Sequence, residues 1–206
     1  ASLAVEKQKK SGTWRTQEII DRVSADFKHK CYICESQKPN TINVEHFIPH
    51  QGNRDLMFNW DNLFYACGHC NGIKLAKYPN ILNCTKVDDD VENKIGYIIK
   101  EFPKFEVAIT AIENDTRTTQ TTVLLNAVFA GTTAEKRQEA AYIRERLQRE
   151  LLTFRDLILQ YRKNTNDSAT KNNIKAHLDS SSAFTSFKRA IIKNNPELFA
   201  EFGAAL

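Results

Sequence analysis

Two C-x-x-C pairs, Cys31-Tyr-Ile-Cys34 and Cys67-Gly-His-Cys70, are the feature that most constrains how this chain folds. Each pair turns two thiolates toward one point, and two pairs complete a tetrahedron around a single Zn²⁺ ion. Four protein ligands leave no open coordination position, so we expect a structural zinc and not a catalytic one. Its binding would contribute about 10 kcal/mol to the folding of this segment. Two redox-active dithiols, or two coincidental pairs, are the alternatives.

The compartment expected for the chain supports metal binding over disulfides. The N-terminal sequence ASLAVEKQKKSG lacks the apolar run of a signal peptide, and no later stretch reaches membrane-spanning length. We therefore expect a cytoplasmic protein without a membrane partner, in which thiols stay reduced. Cys84 lies outside the two pairs and is expected to be a free thiol. His69, inside the second pair, is expected to be a surface or substrate-facing residue.

Hydrophobic periodicity predicts a chain that mixes helices and strands. Ile19, Val23 and Phe27 recur every four residues, which predicts a helix over about 14–27. Two β-prone runs, GYIIKEF and KFEVAITAI, flank Pro103 and predict an antiparallel hairpin over 95–112. A short helix is predicted over 119–129, before Gly131.

The strongest helical pattern follows that glycine. Thr132 and Glu135 form a T-x-x-E capping box. Apolar residues then recur at steps of four and three and predict an amphipathic helix of roughly eight turns, ending near Lys163; they are Leu147, Leu151, Phe154, Ile158 and Tyr161. After the polar loop NTNDSAT, further helix is predicted, and Asn195-Pro196 interrupts it.

Polar residues beside the cysteine pairs carry a family resemblance. They are Glu45-His46, then Asn62 within WDNL, then Asn71 directly after Cys70. The order C-x-x-C, E-H, N, C-x-x-C-N-x-x-K resembles the HNH endonuclease family, in the branch whose ββα-metal core is clamped by zinc. The third family position is often histidine, so Asn71 makes this chain an H-N-N variant. The resemblance covers about residues 30–78, roughly a quarter of the chain.

A narrower resemblance rests on CYICES, VEHFIPH, the WDNL-x-x-A-C-x-x-C-N-x-x-K run and a later TTVLLN. These segments resemble a bacterial group of HNH proteins linked to anti-phage defence, which includes the nuclease subunit of the Septu system and retron-associated nucleases. The resemblance implies DNA as substrate and a separate ATPase subunit as partner. The chain has no G-x-x-x-x-G-K-[ST] loop of its own, which agrees with a separate nucleotide-binding partner. Association with a second copy of the chain is left open.

The fold implied by these features is α+β. A ββα-metal (HNH) core clamped by a four-cysteine zinc site would carry a β-hairpin and a mainly helical C-terminal extension. We expect residues 1–90 to hold the N-terminal helix and the nuclease core. Residues 91–206 would form the hairpin and the helical extension, packed on the core or on a partner.

Phosphodiester hydrolysis needs an activated water and a counter-charge for the phosphate. A histidine titrates near neutral pH and can take the proton of the water, which contributes about 10²–10⁴-fold to the rate. A hard cation, Mg²⁺ or Mn²⁺, prefers oxygen ligands and can bind the phosphate. The resemblance assigns His46 as the general base and Glu45 and Asn71 as ligands of this cation. It assigns Asn62 as the residue that pins the loop and orients His46.

Three further residues are candidates for binding substrate. Lys74 lies three residues after Asn71, on the same helix face, where it could meet a phosphate; Arg54 is a weaker candidate for the same contact. His50 lies four residues after His46, but a helical H-x-x-x-H pair would have to pass through Pro49. We therefore expect His50 to contact the substrate from a loop.

Each assignment has a structural alternative. Glu45 could support the cation site without binding the cation, Asn71 could cap a helix, and Lys74 could be a solvated surface lysine. A zinc-knuckle module that binds nucleic acid or a partner without cutting it is the alternative function, as is a stand-alone restriction-type HNH nuclease. The net charge of +4 permits a nucleic-acid partner without arguing for one. A carboxylate repels DNA unless a cation lies between them, and this favours the enzyme.

Overall fold

Two small antiparallel sheets and a majority of helix make up the fold of residues 2–206, the part of the chain that this computed structural model describes. The helices are α1 (Leu3–Gln8), α2 (Gln17–Asp26), α3 (Arg54–Met57), α4 (Gly68–Lys74), α5 (Val91–Lys94), α6 (Thr116–Ala130), α7 (Ala134–Lys163), α8 (Ser168–Leu178), α9 (Thr185–Lys193) and α10 (Pro196–Phe202). The strands are β1 (Ile42–His46), β2 (Leu63–Cys67), β3 (Ile95–Lys100) and β4 (Glu106–Ala111). The chain is therefore a mixed α and β protein, as predicted.

The first sheet pairs β1 with β2 and leads directly into α4. Its register runs from Ile42 opposite Cys67 to His46 opposite Leu63. Cys67 ends β2 and caps α4, because its Sγ accepts from the Cys70 amide at 3.5 Å. The second cysteine pair thus forms the junction between a strand and the helix that packs beside both strands.

The second sheet is the predicted hairpin of β3 and β4. The two strands pair antiparallel from Ile95 opposite Ala111 to Lys100 opposite Glu106, and Pro103 lies in their connection. The helix α6 packs along β4 and ends at Ala130. The next residue, Gly131, caps it with a φ of +80°, a conformation that favours glycine.

The long helix α7 has the predicted length and ends at Lys163, as predicted. Its start is one residue later than the proposed capping box, because Thr133 and not Thr132 is the N-cap. The Thr133 hydroxyl accepts from the Lys136 amide at 3.2 Å. The helix α2 begins at Gln17, three residues later than predicted, because Thr16 caps it. Pro196 begins α10 with Asn195 as its cap, which confirms the predicted interruption.

The main hydrophobic core joins the cysteine segment to the C-terminal extension. It contains Cys31, Phe64 and Ile73 together with Ile109 of the hairpin and Leu147 of α7. A second cluster packs the end of α7 against α8, α9 and α10 through residues that include Phe154, Ile158, Ile174, Leu178, Ile192 and Phe202. Two helices therefore take part in both cores: α7, and α9 through Phe187 and Ile192. No helix within residues 2–206 is long and apolar enough to cross a membrane.

Candidate functional site

The four cysteines of the two pairs meet in one buried cluster. Their Sγ atoms all lie within 4.8 Å of one another, and those of Cys34 and Cys67 are 3.9 Å apart. Zinc–sulfur bonds of about 2.3 Å at tetrahedral angles place sulfur atoms about 3.8 Å apart. The cluster therefore fits a zinc ion, as the sequence predicted. Cys84 is a free, exposed cysteine outside the cluster, which confirms that prediction as well.

The cluster fixes the first cysteine pair against the first sheet. The Tyr32 amide donates to the Tyr65 carbonyl of β2 at 3.0 Å, and the Cys31 amide donates to the Ser36 carbonyl at 3.0 Å. The first pair is therefore a tight turn laid across β2, while the second pair is the end of that strand. A metal ion held here would tie the turn, the strand and α4 together.

Glu45 and Lys74 form a buried ion pair beneath the first sheet. The Lys74 ammonium is fully buried and lies 3.1 Å from Glu45 Oε1. It also donates to the backbone carbonyls of His46 at 3.1 Å and Phe47 at 2.9 Å, while the Tyr32 hydroxyl donates to the same carboxylate oxygen. Burial raises the pKa of Glu45 above its ordinary value, although Lys74 and Tyr32 oppose this rise. The buried position of Lys74 does not match the expected contact with a substrate phosphate.

His46 lies on the other side of β1, because neighbouring side chains on a strand point to opposite faces. Its Nε2 is 3.0 Å from the Met57 carbonyl. A carbonyl only accepts, so Nε2 carries the proton and Nδ1 carries the lone pair. Burial is the largest cause that lowers the pKa of His46, and the nearby His50 and Arg15 act in the same direction. The ring is therefore neutral near neutral pH, with one nitrogen able to take a proton.

A second histidine and a tryptophan surround the His46 ring. The ring centroid of His50 is 4.5 Å from that of His46, and Trp14 meets both rings edge-on, at 4.8 and 5.3 Å. The Gly52 amide donates to His50 Nδ1 at 3.1 Å. Pro49 does keep this segment out of a helix, but the loop brings the two histidines together all the same. Sequence reasoning did not assign Trp14, whose large ring in the polar run KKSGTWR was the available sign.

Asn62 holds the loop that follows His46. Its buried amide accepts from the Ile48 amide at 2.7 Å and donates to the carbonyls of Ile48 at 2.9 Å and Leu56 at 3.0 Å. These three bonds join the start of the loop to α3, whose last residue, Met57, contacts His46. The contacts are those of a residue that positions the loop and, through it, the histidine.

Arg54 holds the N-terminal segment against the same loop. Its guanidinium donates to the carbonyls of Lys7 and Lys9, the latter at 3.0 Å, and it lies over the Phe58 ring at 4.9 Å. These contacts engage the guanidinium within the fold. A phosphate would have to bind it in addition to these contacts.

Asn71 and His69 occupy α4 in different ways. Asn71 is half-buried, and its side chain makes no hydrogen bond to the described part of the chain. His69 is buried, and its two ring nitrogens contact Glu139 at 2.9 Å and the Val128 carbonyl at 2.8 Å. The prediction that His69 faces the surface or a substrate is therefore wrong, because this side of α4 packs on α6 and α7.

Comparison with known proteins gives one partial similarity. A stretch of 49 residues is 39% identical to the Septu protein PtuB of Bacillus thuringiensis, which covers 22% of this chain and 19% of that protein. The chain thus matches about a fifth of the length of this curated relative. No family model matches the chain, and no solved structure matches it. The similarity indicates a Septu-like relationship over a limited segment.

Proposed function

We propose that this protein is a metal-dependent HNH endonuclease that hydrolyses phosphodiester bonds of DNA. The observation that carries the proposal is His46, a neutral imidazole with its tautomer set by the Met57 carbonyl and its Nδ1 left as the basic nitrogen. His46 stands at the end of β1, which pairs with β2. The cysteine cluster lies where β2 leads into α4. That order of elements agrees with a ββα-metal core.

The residues around His46 suit the task of a general base. Asn62 fixes the loop on one side, and the edges of Trp14 and His50 restrict the ring on the other. A fixed ring keeps Nδ1 aimed in one direction, which is what the removal of a proton from an attacking water requires. His46 would then hold that proton while the phosphodiester bond breaks.

The site offers the types of ligand atom that a catalytic Mg²⁺ or Mn²⁺ binds. The Asn71 amide has no partner within residues 2–206, and both contacts of the Glu45 carboxylate use Oε1, which leaves Oε2. An amide oxygen and a carboxylate oxygen are ligands that hard cations prefer. Such an ion supplies a counter-charge for the phosphate. Glu45 and Asn71 are the residues that would hold it.

The proposed biological role is that of the nuclease component of a bacterial anti-phage defence system, acting with a separate ATPase subunit. The partial similarity to the Septu protein PtuB supports the defence role. An ATPase encoded beside this chain, and recovered with it from the native host, would support the partnership. Full DNA cleavage by the purified chain alone would favour a stand-alone restriction-type nuclease instead.

The test is the nicking of supercoiled plasmid DNA with Mg²⁺ or Mn²⁺, with the partner added where it is required. His46→Ala should lower the rate at least about 10²-fold. His177→Gln is the matched control, because His177 lies in α8, whose apolar residues belong to the second hydrophobic cluster, and should leave the rate unchanged. Full activity of the His46 variant would remove the general-base assignment.

A binding module that does not cut remains the second candidate, and one observation favours it. The Lys74 ammonium already neutralises Glu45, so the carboxylate would not repel DNA even without a cation. Such a module, loaded with zinc, would bind DNA with Mg²⁺ and without added divalent cation alike, and would give no product with Mg²⁺ or Mn²⁺. An endonuclease would give product only when the divalent cation is present.

A further inference from the structure

The outer edge of the second sheet is closed on the side of β4. The Ile109 amide points away from β3 and donates to the Asn126 side chain at 3.0 Å, and the Asn126 amide donates back to the Ile109 carbonyl at 2.7 Å. One side chain of α6 therefore satisfies both backbone groups that Ile109 turns outward. No further strand can pair with β4 at this position.

The outer edge of β3 is open. The Ile112 amide donates to the Lys94 carbonyl at 2.8 Å, and bonded pairs alternate along an antiparallel ladder, so every second residue of β3 turns its backbone groups outward. These residues are Ile95, whose N–H donates to the Val91 carbonyl, and Tyr97 and Ile99. The N–H and C=O groups of Tyr97 and Ile99 make no hydrogen bond among the residues that the structure describes. An open edge of this kind is a template for an added strand.

An apolar groove of about 540 Å³ runs along this open edge. The consecutive residues Tyr97, Ile98 and Ile99 all line it. Because the side chains of consecutive strand residues point to opposite faces, a groove that all three line must lie at the edge of the strand. The opposite wall belongs to α7 and α9. Three large apolar side chains are exposed in the groove, with exposed fractions of 53% for Ile98, 46% for Leu159 and 36% for Ile191.

The charges of the groove favour an acidic occupant. Arg155 and Arg162, two turns apart on α7, line it, and Glu101 is the single acidic lining residue. Arg155 has only a weak, exposed ion pair with Asp156, at 3.5 Å. Residues 134–206 contain 13 basic and 9 acidic residues, whereas residues 1–133 contain 16 of each. The whole net charge of +4 therefore belongs to the part of the chain that forms most of this groove.

We propose that the groove binds an extended segment of a partner protein, with alternating apolar and acidic residues, which adds to β3 as a third strand. The segment would pair with the free backbone groups of Tyr97 and Ile99. Its apolar side chains would pack on Leu159 and Ile191, and its carboxylates would meet Arg155 or Arg162. The inference does not depend on nuclease activity, and its test needs no DNA.

The first experiment uses a nine-residue probe peptide of alternating valine and glutamate with blocked ends. Amide hydrogen exchange by NMR should slow at least about tenfold at Tyr97 and Ile99 when the peptide binds, because their N–H groups become hydrogen-bonded. The Ile98 amide already bonds to β4 and should change little. Methylating the peptide nitrogens that face β3 should weaken binding at least about tenfold, and replacing glutamate by lysine should weaken it as well.

Two leucines of α7 provide a matched pair of variants. Leu159 lines the groove, whereas Leu152, seven residues earlier and 38% exposed, does not line it. Leu159→Glu should weaken binding of the peptide at least about tenfold, since it buries a carboxylate against apolar residues. Leu152→Glu should bind as the unchanged protein does.

Three results would overturn the proposal. Equal affinity for the methylated peptide would exclude strand addition, and absence of binding would exclude the proposed occupant. A stable dimer of the protein that Leu159→Glu converts to a monomer would show that a second copy of the chain covers the groove.

Discussion

Substitution of Lys74 by methionine separates two roles for this lysine. The side chains are similar in length, but methionine removes the charge and three contacts: to Glu45 at 3.1 Å, to the His46 carbonyl at 3.1 Å and to the Phe47 carbonyl at 2.9 Å. A lysine that met a phosphate at the surface would affect DNA binding and leave stability nearly unchanged. A lysine that neutralises a buried carboxylate would affect the fold itself.

The magnitude follows from what the substitution leaves behind. Glu45 is only 6% exposed, so removal of Lys74 leaves a buried carboxylate without its cation. Removal of one partner of a buried ion pair costs about 3–5 kcal/mol. For a chain of this length, about 1 kcal/mol lowers the melting temperature by roughly 2–4 °C, so we expect a decrease of roughly 6–20 °C. The double variant Glu45→Gln with Lys74→Met removes both charges and should recover about 1–3 kcal/mol.

Urea denaturation of the zinc-loaded protein measures these free energies of unfolding. Lys77→Met is the control, because Lys77 is exposed just beyond the same helix and should change stability by no more than about 0.5 kcal/mol. If Lys74→Met were as stable as Lys77→Met, or if the double variant were no better than the sum of its parts, the ion pair would not stabilise the fold as argued.

Two further predictions concern zinc and pH. Metal analysis should find about one zinc per chain, lost together with the fold in Cys67→Ser and retained in Cys84→Ser; a folded, zinc-free protein would contradict this. Burial, and next the Lys188 ammonium, lower the pKa of His177, so the folded state binds fewer protons than the unfolded state. Its contribution to stability is complete above about pH 6.5 and is lost as the pH falls through the folded pKa. The urea midpoint should therefore fall less between about pH 7.5 and about pH 5.5 in His177→Gln than in the unchanged protein; equal decreases would be the contrary result.

The parts of the fold that the sequence predicted are those with local causes. The end of α7, the hairpin around Pro103 and the start of α10 at Pro196 follow from periodicity, turn residues and caps that act within a few positions. The cysteine cluster was predictable because its spacing has few other uses. The start of α7 differs by one residue, because Thr132 and Thr133 are both threonines and either could cap the helix. Only the folded chain selects Thr133 as the cap.

The contacts that escaped prediction join distant residues. Nothing in the sequence links Glu45 to Lys74, because a lysine in the last turn of a short helix is usually solvated. Trp14, which packs against His46, lies in the connection between α1 and α2, a segment with no clear hydrophobic period. His69 lies between two cysteines of the cluster in sequence, which favours a surface position, whereas α6 and α7 bury it.

The helix α7, which takes part in both hydrophobic cores, also connects two distant places on the molecule. Glu139, near the start of α7, contacts His69, which adjoins Cys70; Leu159, twenty residues further on, lines the groove beside β3. At about 1.5 Å per residue these points are about 30 Å apart along a continuous rod. A tilt of about 3° would move one end by about 1.5 Å relative to the other. The groove beside β3 and the helix that carries Asn71 are therefore both in contact with the same continuous helix.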